Sequence, residues 1–449
     1  MLQLTINKNS SINYQAKLFQ IKEVKDHPNA DRLAIVEVNH SPVVTSKDVV
    51  VGDWYIYFPP ESQISSEFLA ATNSFRDATL NEDKASTGFF ESSGRVKTIK
   101  LRGTYSSGYI VPVTSLEEYT SKTVDRKELY FDTVDSKRFV KKYFIKADAV
   151  QSSMSKSDKK SSKINVVEGQ FKFHNDTENL RRSVYMLHPD TNIEVSYKLH
   201  GSSAIVSNLL FQKPTRWYHR LFRLTPKTYY DIVWSSRKVI KNNTQGEGYY
   251  SEDIWTILKE DIKDRIPDGY ALYGEIVGYL PNGGMIQKGY DYGCQRGSYD
   301  FYVYRISKVS EDGKITELTF GEIQAFCLIH DFKTPDLFFK GTVAEHFEQL
   351  AGELDEETAA LFARVTLPVR FRTAEDLEKF RDLYLNLLEK TYNEKICYMC
   401  KTKVPEEGIV LRAINTSFKF EAYKLKSFKF LERETKAFDK GEINIEDNN

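Results

Sequence analysis

The chain has 449 residues, in which Lys plus Arg and Asp plus Glu each number 63. That length predicts two domains, and the balanced charge excludes attachment to a polyanion through the overall field, so any nucleic-acid affinity must come from a local patch. The N-terminus MLQLTINKNS lacks a basic region followed by an apolar run, no apolar stretch reaches membrane-span length, and the four cysteines are too few for a secreted disulfide framework. The expectation is a soluble, cytoplasmic, monomeric protein with reduced thiols and no membrane partner.

Residues 1–148 carry short β-rich runs between turn signals: IVEVNH at 35–40, DWYIYF at 53–58, RVKTIKLRG at 95–103 and GYIVPV at 108–113. Strands this short and closely spaced predict a small barrel or sandwich. Lys97, Lys100 and Arg102 alternate along the third run as the lining of a basic groove for a nucleic-acid strand would, the competing reading being a solvated strand face. A Ser/Lys-rich stretch with almost no apolar content marks a linker at 149–165.

From 166 to 435, strand-like runs such as YALYGEIVGY and FYVYRI alternate with SEDIWTILKEDI and AEDLEKFRDLYLNLLEKTY, where apolar residues recur three and four apart. This pattern predicts a mixed α/β domain. The basic, aromatic segment 207–231, with Arg216, Arg220 and Arg223 around Trp217 and Phe222, reads equally as a clamp on a duplex backbone or as an insertion packed on the domain. The region 337–395, including LFFKGTVAEHFEQL, reads as helical cover for the sheet. Cys397 and Cys400 have half of a zinc-site spacing, but their place just before Glu407 reads as a turn. A polar tail occupies 436–449.

One ordered series carries chemistry: Lys198-Leu-His-Gly201, Gly274-Glu275-Ile276, Glu407-Gly408-Ile409-Val410 and Lys424-Leu425-Lys426. Each piece is common by chance; in this order they describe one pocket around a nucleoside triphosphate. A lysine that attacks the α-phosphate must be unprotonated, although its reference pKa is about 10.4. Lys424 and Lys426 alternate about Leu425, so both amines share one strand face, where they would neutralise the triphosphate and lower the pKa of Lys198. Glu275 and Glu407 lie in apolar strands, where a carboxylate needs a cation, a metal or a ribose hydroxyl. With no His or Cys pair at metal spacing beside them, a hard ion such as Mg²⁺ or Mn²⁺ fits better than zinc. His200 is either a pocket group assisting phosphoryl chemistry or a satisfied structural histidine.

These residues resemble the covalent nucleotidyltransferase superfamily of ATP-dependent ligases and capping enzymes. Lys198-Leu-His-Gly-Ser-Ser203 looks like its nucleophile motif, followed in family order by Ser236-Arg237-Lys238, Leu272-Tyr-Gly-Glu-Ile276, Phe301-Tyr-Val-Tyr-Arg-Ile306, Glu407-Gly-Ile-Val410 and Tyr423-Lys-Leu-Lys426. The histidine two after Lys198 and the missing C-terminal domain resemble RNA ligases more than DNA ligases or capping enzymes, and the additional domain comes first. The run from Ile21 to Val38, with Val51-Gly-Asp53 and Lys100-Leu-Arg-Gly103 through Ser107-Gly108, is similar to the N-terminal OB module of the Deinococcus-type RNA ligases, family five.

The resemblance implies an α+β fold: an N-terminal OB-like β-barrel followed by a mixed α/β covalent nucleotidyltransferase (ATP-grasp-like) domain. It implies that ATP adenylates Lys198, with His200 and Gly201 beside the nucleotide, Arg237 on the nucleotide or the substrate 5′-phosphate, and Tyr304 stacked on adenine. On period-two geometry Tyr302 shares the face of Tyr304, so the stacking ring could be either. Glu275 would bind the ribose or support the metal, and Glu407 would orient a metal. Ser203 and Ala204 stand where many ligases place an arginine, which leaves the substrate phosphate contacts open. The implied activity is an ATP-dependent RNA ligase sealing 3′-OH/5′-PO₄ nicks in duplex RNA or RNA/DNA hybrid with an RNA 3′-OH strand, through lysyl-AMP and AMP-polynucleotide intermediates. The alternatives are a capping-type guanylyltransferase using GTP and a non-catalytic RNA-binding OB protein.

Overall fold

Strands form where polarity alternates and helices where apolar residues recur three and four apart, but what the alternation positions is a cleft between two sheets. A computed structural model describes residues 1–8, 10–144, 165–174, 177–213, 227–241, 253–352, 373–414 and 421–440. Almost all of the expected linker, Arg216 to Arg223 of the basic segment and most of the polar tail lie outside the described residues.

The first sheet of the second half runs in the order Glu178–Asn179, Glu421–Lys426, Gly408–Ala413, Asn192–Tyr197, Leu337–Thr342. Ile193, Val195, Ile409, Leu411, Tyr423 and Leu425 pack against Tyr384, Leu387 and Leu388 of the helix Ala374–Tyr392. Because side chains alternate across a strand, their neighbours Glu194, Ser196, Lys198, Val410, Arg412, Lys424 and Lys426 face the other way and line the cleft. The second sheet, Thr228–Ser235, Ser202–Gln212, Tyr270–Gly278, Tyr299–Val309, Ile315–Glu317, is antiparallel throughout. It is backed by the helix Ile254–Ile262, which buries Trp255 and Leu258.

Two expectations need correction here. The region beginning at 337 is not all helix: Leu337–Thr342 is a strand that pairs antiparallel with Asn192–Tyr197 and satisfies that strand's edge. The helix Val343–Gly352 starts only after Thr342 and Glu345 cap each other, Glu345 N–H to Thr342 Oγ1 at 3.1 Å and Thr342 N–H to Glu345 Oε2 at 2.7 Å. The other concerns the N-terminal half. Its strands fall into separate small sheets, among them Tyr109–Pro112, Trp54–Phe58, Ala16–Gln20, Leu129–Phe131 and, apart from these, Lys25–Asp26, Leu33–Val38, Ser41–Ser46, and no closed barrel forms among the described residues.

Lys97, Lys100 and Arg102 do not line a common groove. Lys97 and Lys100 are three residues apart, so an extended segment puts them on opposite faces. Only Lys100 lies in the strand Thr98–Leu101, its amine 4.5 Å from the centre of the Tyr105 ring; Arg102 sits in the following turn with φ 43°. The Lys97 amine is turned inward, 2.7 Å from Asp439 and 3.2 Å from Glu91.

Asp439 belongs to the helix Phe428–Asp439, which runs beyond residue 435 and joins the two halves. Buried Arg95 donates to Asp439 at 3.0 Å and to the Thr435 carbonyl at 3.2 Å, and lies 4.9 Å from the Phe438 ring centre. Tyr105 stacks on Phe428 and donates to Glu394 at 3.1 Å. Removing one member of such a buried ionic contact leaves its partners unpaired. Arg95→Ala is expected to cost about 2–4 kcal/mol of stability and to open the joint to protease. Urea unfolding and limited proteolysis would check this, and an unchanged midpoint would show that the helix holds the N-terminal half by other contacts.

Candidate active site

The sharp turn between the first and second sheets creates the site. The strand Asn192–Tyr197 ends at Lys198, whose backbone N–H donates to the Gly408 carbonyl at 2.9 Å, and three residues later Gly201 enters the second sheet. At Gly201 a Cβ would lie 2.2 Å from the Ile276 carbonyl oxygen and 2.9 Å from Cγ of Glu275, so only glycine allows this approach. It brings the Gly201 N–H to the Glu275 carboxylate at 3.0 Å, and Gln287 donates to the Gly201 carbonyl at 2.7 Å.

Glu407 stands at the centre. It is 1 % exposed, and one carboxylate oxygen lies 2.9 Å from the Lys198 amine and 3.2 Å from that of Lys426. Gly408, with φ 143°, makes this possible: its Cβ would fall 1.9 Å from the Leu425 carbonyl. Lys424 and Lys426 share the cleft face with Leu425 buried behind them, as alternation predicts. Lys426 also meets Glu434 at 3.5 Å.

His200 sits among packed rings beside Glu407. Its ring lies edge-on to Tyr290 and Phe430, each 4.9 Å away, and its Nδ1 is 3.8 Å from Glu407, while its backbone N–H donates to the Tyr292 hydroxyl at 2.6 Å. Arg237 lies just past the strand Thr228–Ser235 and lines the same cleft. In the aromatic strand the two rings are set apart. A bulge pairs Tyr273 with Arg305 but Gly274 with Val303, so Tyr304 is the extra residue and the period-two relation to Tyr302 is broken. Tyr304 lines the cleft, and Tyr302 is buried with Leu199 and Tyr290.

The sequence reading missed His174, which hydrogen-bonds the Tyr304 hydroxyl and lines the cleft, and Glu434, Gln287 and Tyr292. A glycine- and tyrosine-rich run between two strands, 281–298, was the available signal for the last two. Cys397 and Cys400 sit in the turn that leads to Glu406 and Glu407, their thiols hydrogen-bonded to each other, which holds Cys397 protonated and lowers Cys400.

As for a metal, no group of three or more His, Cys, Asp or Glu is assembled among the described residues. The buried carboxylates Glu194 and Glu275 line the cleft, with Glu407 buried behind Lys198 and Lys426, an oxygen donor set that suits Mg²⁺ or Mn²⁺ completed by water rather than zinc.

Burial raises the neighbouring Glu406 carboxyl from 4.5 to about 7. A raised carboxyl is held neutral by the fold, so its contribution is full below about pH 4.5 and is lost as pH rises through about 7. Glu406→Gln keeps a neutral side chain at every pH. The variant is expected to show a flatter stability profile between pH 5 and 8, with a gain approaching about 3 kcal/mol above pH 7, read from urea midpoints. Parallel profiles for the two proteins would refute the assignment.

Comparison with known proteins places this geometry. No curated protein sequence matches the chain. Among solved structures, the RNA ligase of Naegleria gruberi superimposes as a lysine variant with AMP and Mn at TM-score 0.52 and 16% identity, covering 93% of this chain and 98% of that one. Its complex with PPi gives 0.52 and 16% over 94% and 98%, and an apo aspartate variant 0.53 and 15% over 95% and 100%. At this identity the likeness is one of fold: a mixed α+β nucleotidyltransferase architecture. The family model for RNA ligase matches residues 191–431, more than half of the chain and the whole of the Lys198 to Lys426 series, and the chain therefore belongs to the RNA ligase family.

Proposed function

We propose that the chain is an ATP-dependent RNA ligase that works through a covalent adenylate on Lys198. The observation that carries this is the Glu407 carboxylate held between the amines of Lys198 and Lys426 in a cleft lined also by Lys424, Arg237 and Glu275. The Naegleria gruberi enzyme, solved with ATP and Mn in three of its variants, supports the choice of nucleotide and ion.

In the first step the Lys198 nitrogen attacks the α-phosphorus of ATP, a P–N bond forms and pyrophosphate leaves. Glu407, within 3 Å of the amine, is placed to take the proton that Lys198 must lose. Lys424 and Lys426 stabilise the charge that develops on the leaving phosphates, and Tyr304, backed by His174, offers its ring to the base. Glu275, fixed by the Gly201 N–H, is turned to the ribose or a divalent ion. When bound, Mg²⁺ or Mn²⁺ held by Glu275 and Glu407 would supply charge neutralisation at the phosphate oxygens. In the second step AMP passes to a strand 5′-phosphate and Lys198 is regenerated; in the third a 3′-hydroxyl attacks that phosphate and AMP leaves.

The finer reading is sealing of nicks in duplex RNA or RNA/DNA hybrid with an RNA 3′-OH strand, of the Deinococcus type, with the N-terminal half as an OB-type module. Its supports are the N-terminal position of the extra module, the motifs from Ile21 to Gly108, and the docking of that module on the helix that follows Lys426. Residues 1–148 and 166–435 would be its two working parts, with Lys100 and Arg102 left as the exposed cations on the module's hairpin. A cytoplasmic monomer fits this role, and among the described residues no helix is long and apolar enough to cross a membrane.

Incubation with α-labelled ATP and Mg²⁺ or Mn²⁺ is expected to leave acid-stable label on the wild type and none on Lys198→Ala, with Glu407→Gln reduced by about 10²–10⁴-fold. Label from GTP alone would favour capping chemistry, and no label from either would leave nucleic-acid binding without catalysis. On nicked duplexes differing only in the sugars beside the nick, an RNA 3′-OH strand is expected to be sealed faster than DNA; equal sealing of all-DNA nicks would remove the RNA-specific reading.

A further inference from the structure

The turn that leads to Glu406 and Glu407 begins with Cys397-Tyr-Met-Cys400, a pair of cysteines that the nucleotide chemistry leaves unused. It is closed by the Cys397 N–H, which donates to the Val404 carbonyl at 2.8 Å, and by a bridge between Ile396 and Pro405. A second turn, 291–294, lies between two strands of the second sheet and packs against the first: Asp291 accepts from the Lys401 N–H at 3.2 Å, and the Tyr292 N–H donates to Cys400 Sγ. Held in this way, the two thiols are hydrogen-bonded to each other. Side chains already directed at one another meet the geometric condition for a bridge.

The four cysteines differ in kind. Burial pushes Cys294 and Cys327 up to about 12, the first with help from Asp300, which its thiol meets at 3.5 Å. Cys397 is buried too, and its S–H faces two acceptors, Cys400 Sγ and the Glu406 carboxyl. Cys400 is the one that is partly exposed. The Cys397 S–H, and after it the Tyr292 N–H, hold its thiol below the ordinary range against burial and the charges of Asp291 and Glu406. An accessible sulfur of thiolate character beside a buried partner is the arrangement of an oxidisable dithiol, in which the first attacks and the second resolves. To a zinc ion the pair offers two sulfurs where four ligands are needed, and no group of three or more His, Cys, Asp or Glu is assembled among the described residues.

The pair reaches the Lys198 site from two directions. Tyr292, whose backbone serves Cys400, uses its hydroxyl to accept from the His200 N–H at 2.6 Å, two residues after Lys198. Glu406, which faces the Cys397 S–H, directly precedes Glu407, and its carbonyl accepts from the Ser427 hydroxyl at 2.8 Å, next to Lys426. A disulfide would remove the S–H and the thiolate charge together. The Glu406 carboxyl would lose that donor, and the Tyr292 N–H would keep only a neutral sulfur, a weaker acceptor than a thiolate.

We propose that Cys397 and Cys400 are a modification site, an oxidisable dithiol whose disulfide slows adenylate formation on Lys198 through Tyr292 and Glu406. The effect on the adenylate rests on the ligase reading; the dithiol itself does not. The oxidant is a peroxide. The Cys400 thiolate attacks one peroxide oxygen, the O–O bond breaks, hydroxide leaves and a sulfenic acid forms. The Cys397 sulfur then attacks the Cys400 sulfur, the S–O bond breaks, and the oxygen leaves as water with the Cys397 proton. Two thiols are oxidised to one disulfide and one hydrogen peroxide is reduced to two waters. In reducing surroundings such a bond is transient.

To test this, the reduced full-length protein is treated with hydrogen peroxide, alkylated and digested with trypsin, which releases both cysteines in one peptide, 396–401. The expected product is that peptide unalkylated and lacking two hydrogens, restored by dithiothreitol; oxidation of Met399 adds an oxygen instead, which dithiothreitol leaves in place. Labelling by α-labelled ATP is expected to slow by about tenfold or more in the oxidised protein and to recover on reduction. Cys400→Ser is expected to label like the reduced wild type with or without peroxide. Cys397→Ser is the second variant: without its partner, Cys400 should stop at the sulfenic acid, which dimedone traps. Both thiols still alkylated after peroxide, or zinc held by the pair in the purified protein, would overturn the site. A disulfide that leaves labelling within about twofold of the reduced protein would overturn its link to Lys198. No label even in the reduced wild type would sink the ligase reading and that link with it, leaving the peptide to decide the dithiol.

Discussion

A single carboxylate organises the second half of this molecule. Glu407 is almost fully buried, and a buried carboxylate is tolerated only when cations meet it. Lys198, just past one strand, and Lys426, at the end of another, do so, which ties Lys198 to the final lysine pair through one atom. The backbone is built to the same end. Gly408 pairs with Lys426 at a separation no side chain would permit, and the Lys198 N–H and Gly408 carbonyl bond across the neighbouring strands. Moving any of these strands by one residue would turn every cleft-facing side chain into the core.

The arrangement also places an ion pair in the cleft. Glu407 fixes the position of the Lys198 amine. Lys426 meets that same oxygen, so two amines share the one carboxylate. His200 completes this shell through packing more than through charge, because Tyr290 and Phe430 fix its ring and Tyr292 fixes its backbone.

The helix Phe428–Asp439 carries that centre to the rest of the protein. It follows Lys426 directly, returns Glu434 to it, and receives Arg95, Lys97 and Tyr105 of the N-terminal half along its length. The second junction, at Arg181 and Arg182, reaches the Lys426 carbonyl from the other side. The N-terminal half is thereby braced against the strand that bears Lys424 and Lys426.

What the sequence determined by itself was local. Order and spacing named Lys198, Glu275, Glu407 and the Lys424/Lys426 pair, and alternation put the two lysines on one face, because strand geometry is a property of neighbouring residues. The elements from Tyr270 to Gly278 and from Ala374 to Tyr392 were legible for the same reason. Tertiary structure alone decided the rest. Tyr304 separated from Tyr302 through a bulge that only pairing with the adjacent strand reveals, and Lys97 turned to Asp439, 342 residues away in the chain, because the final helix lies there. The strand at Leu337–Thr342 formed because Asn192–Tyr197 had an edge to satisfy. Side chains that act through partners distant in sequence, such as His174 and Tyr292, leave no periodic trace, and their roles exist only once the fold has closed around them.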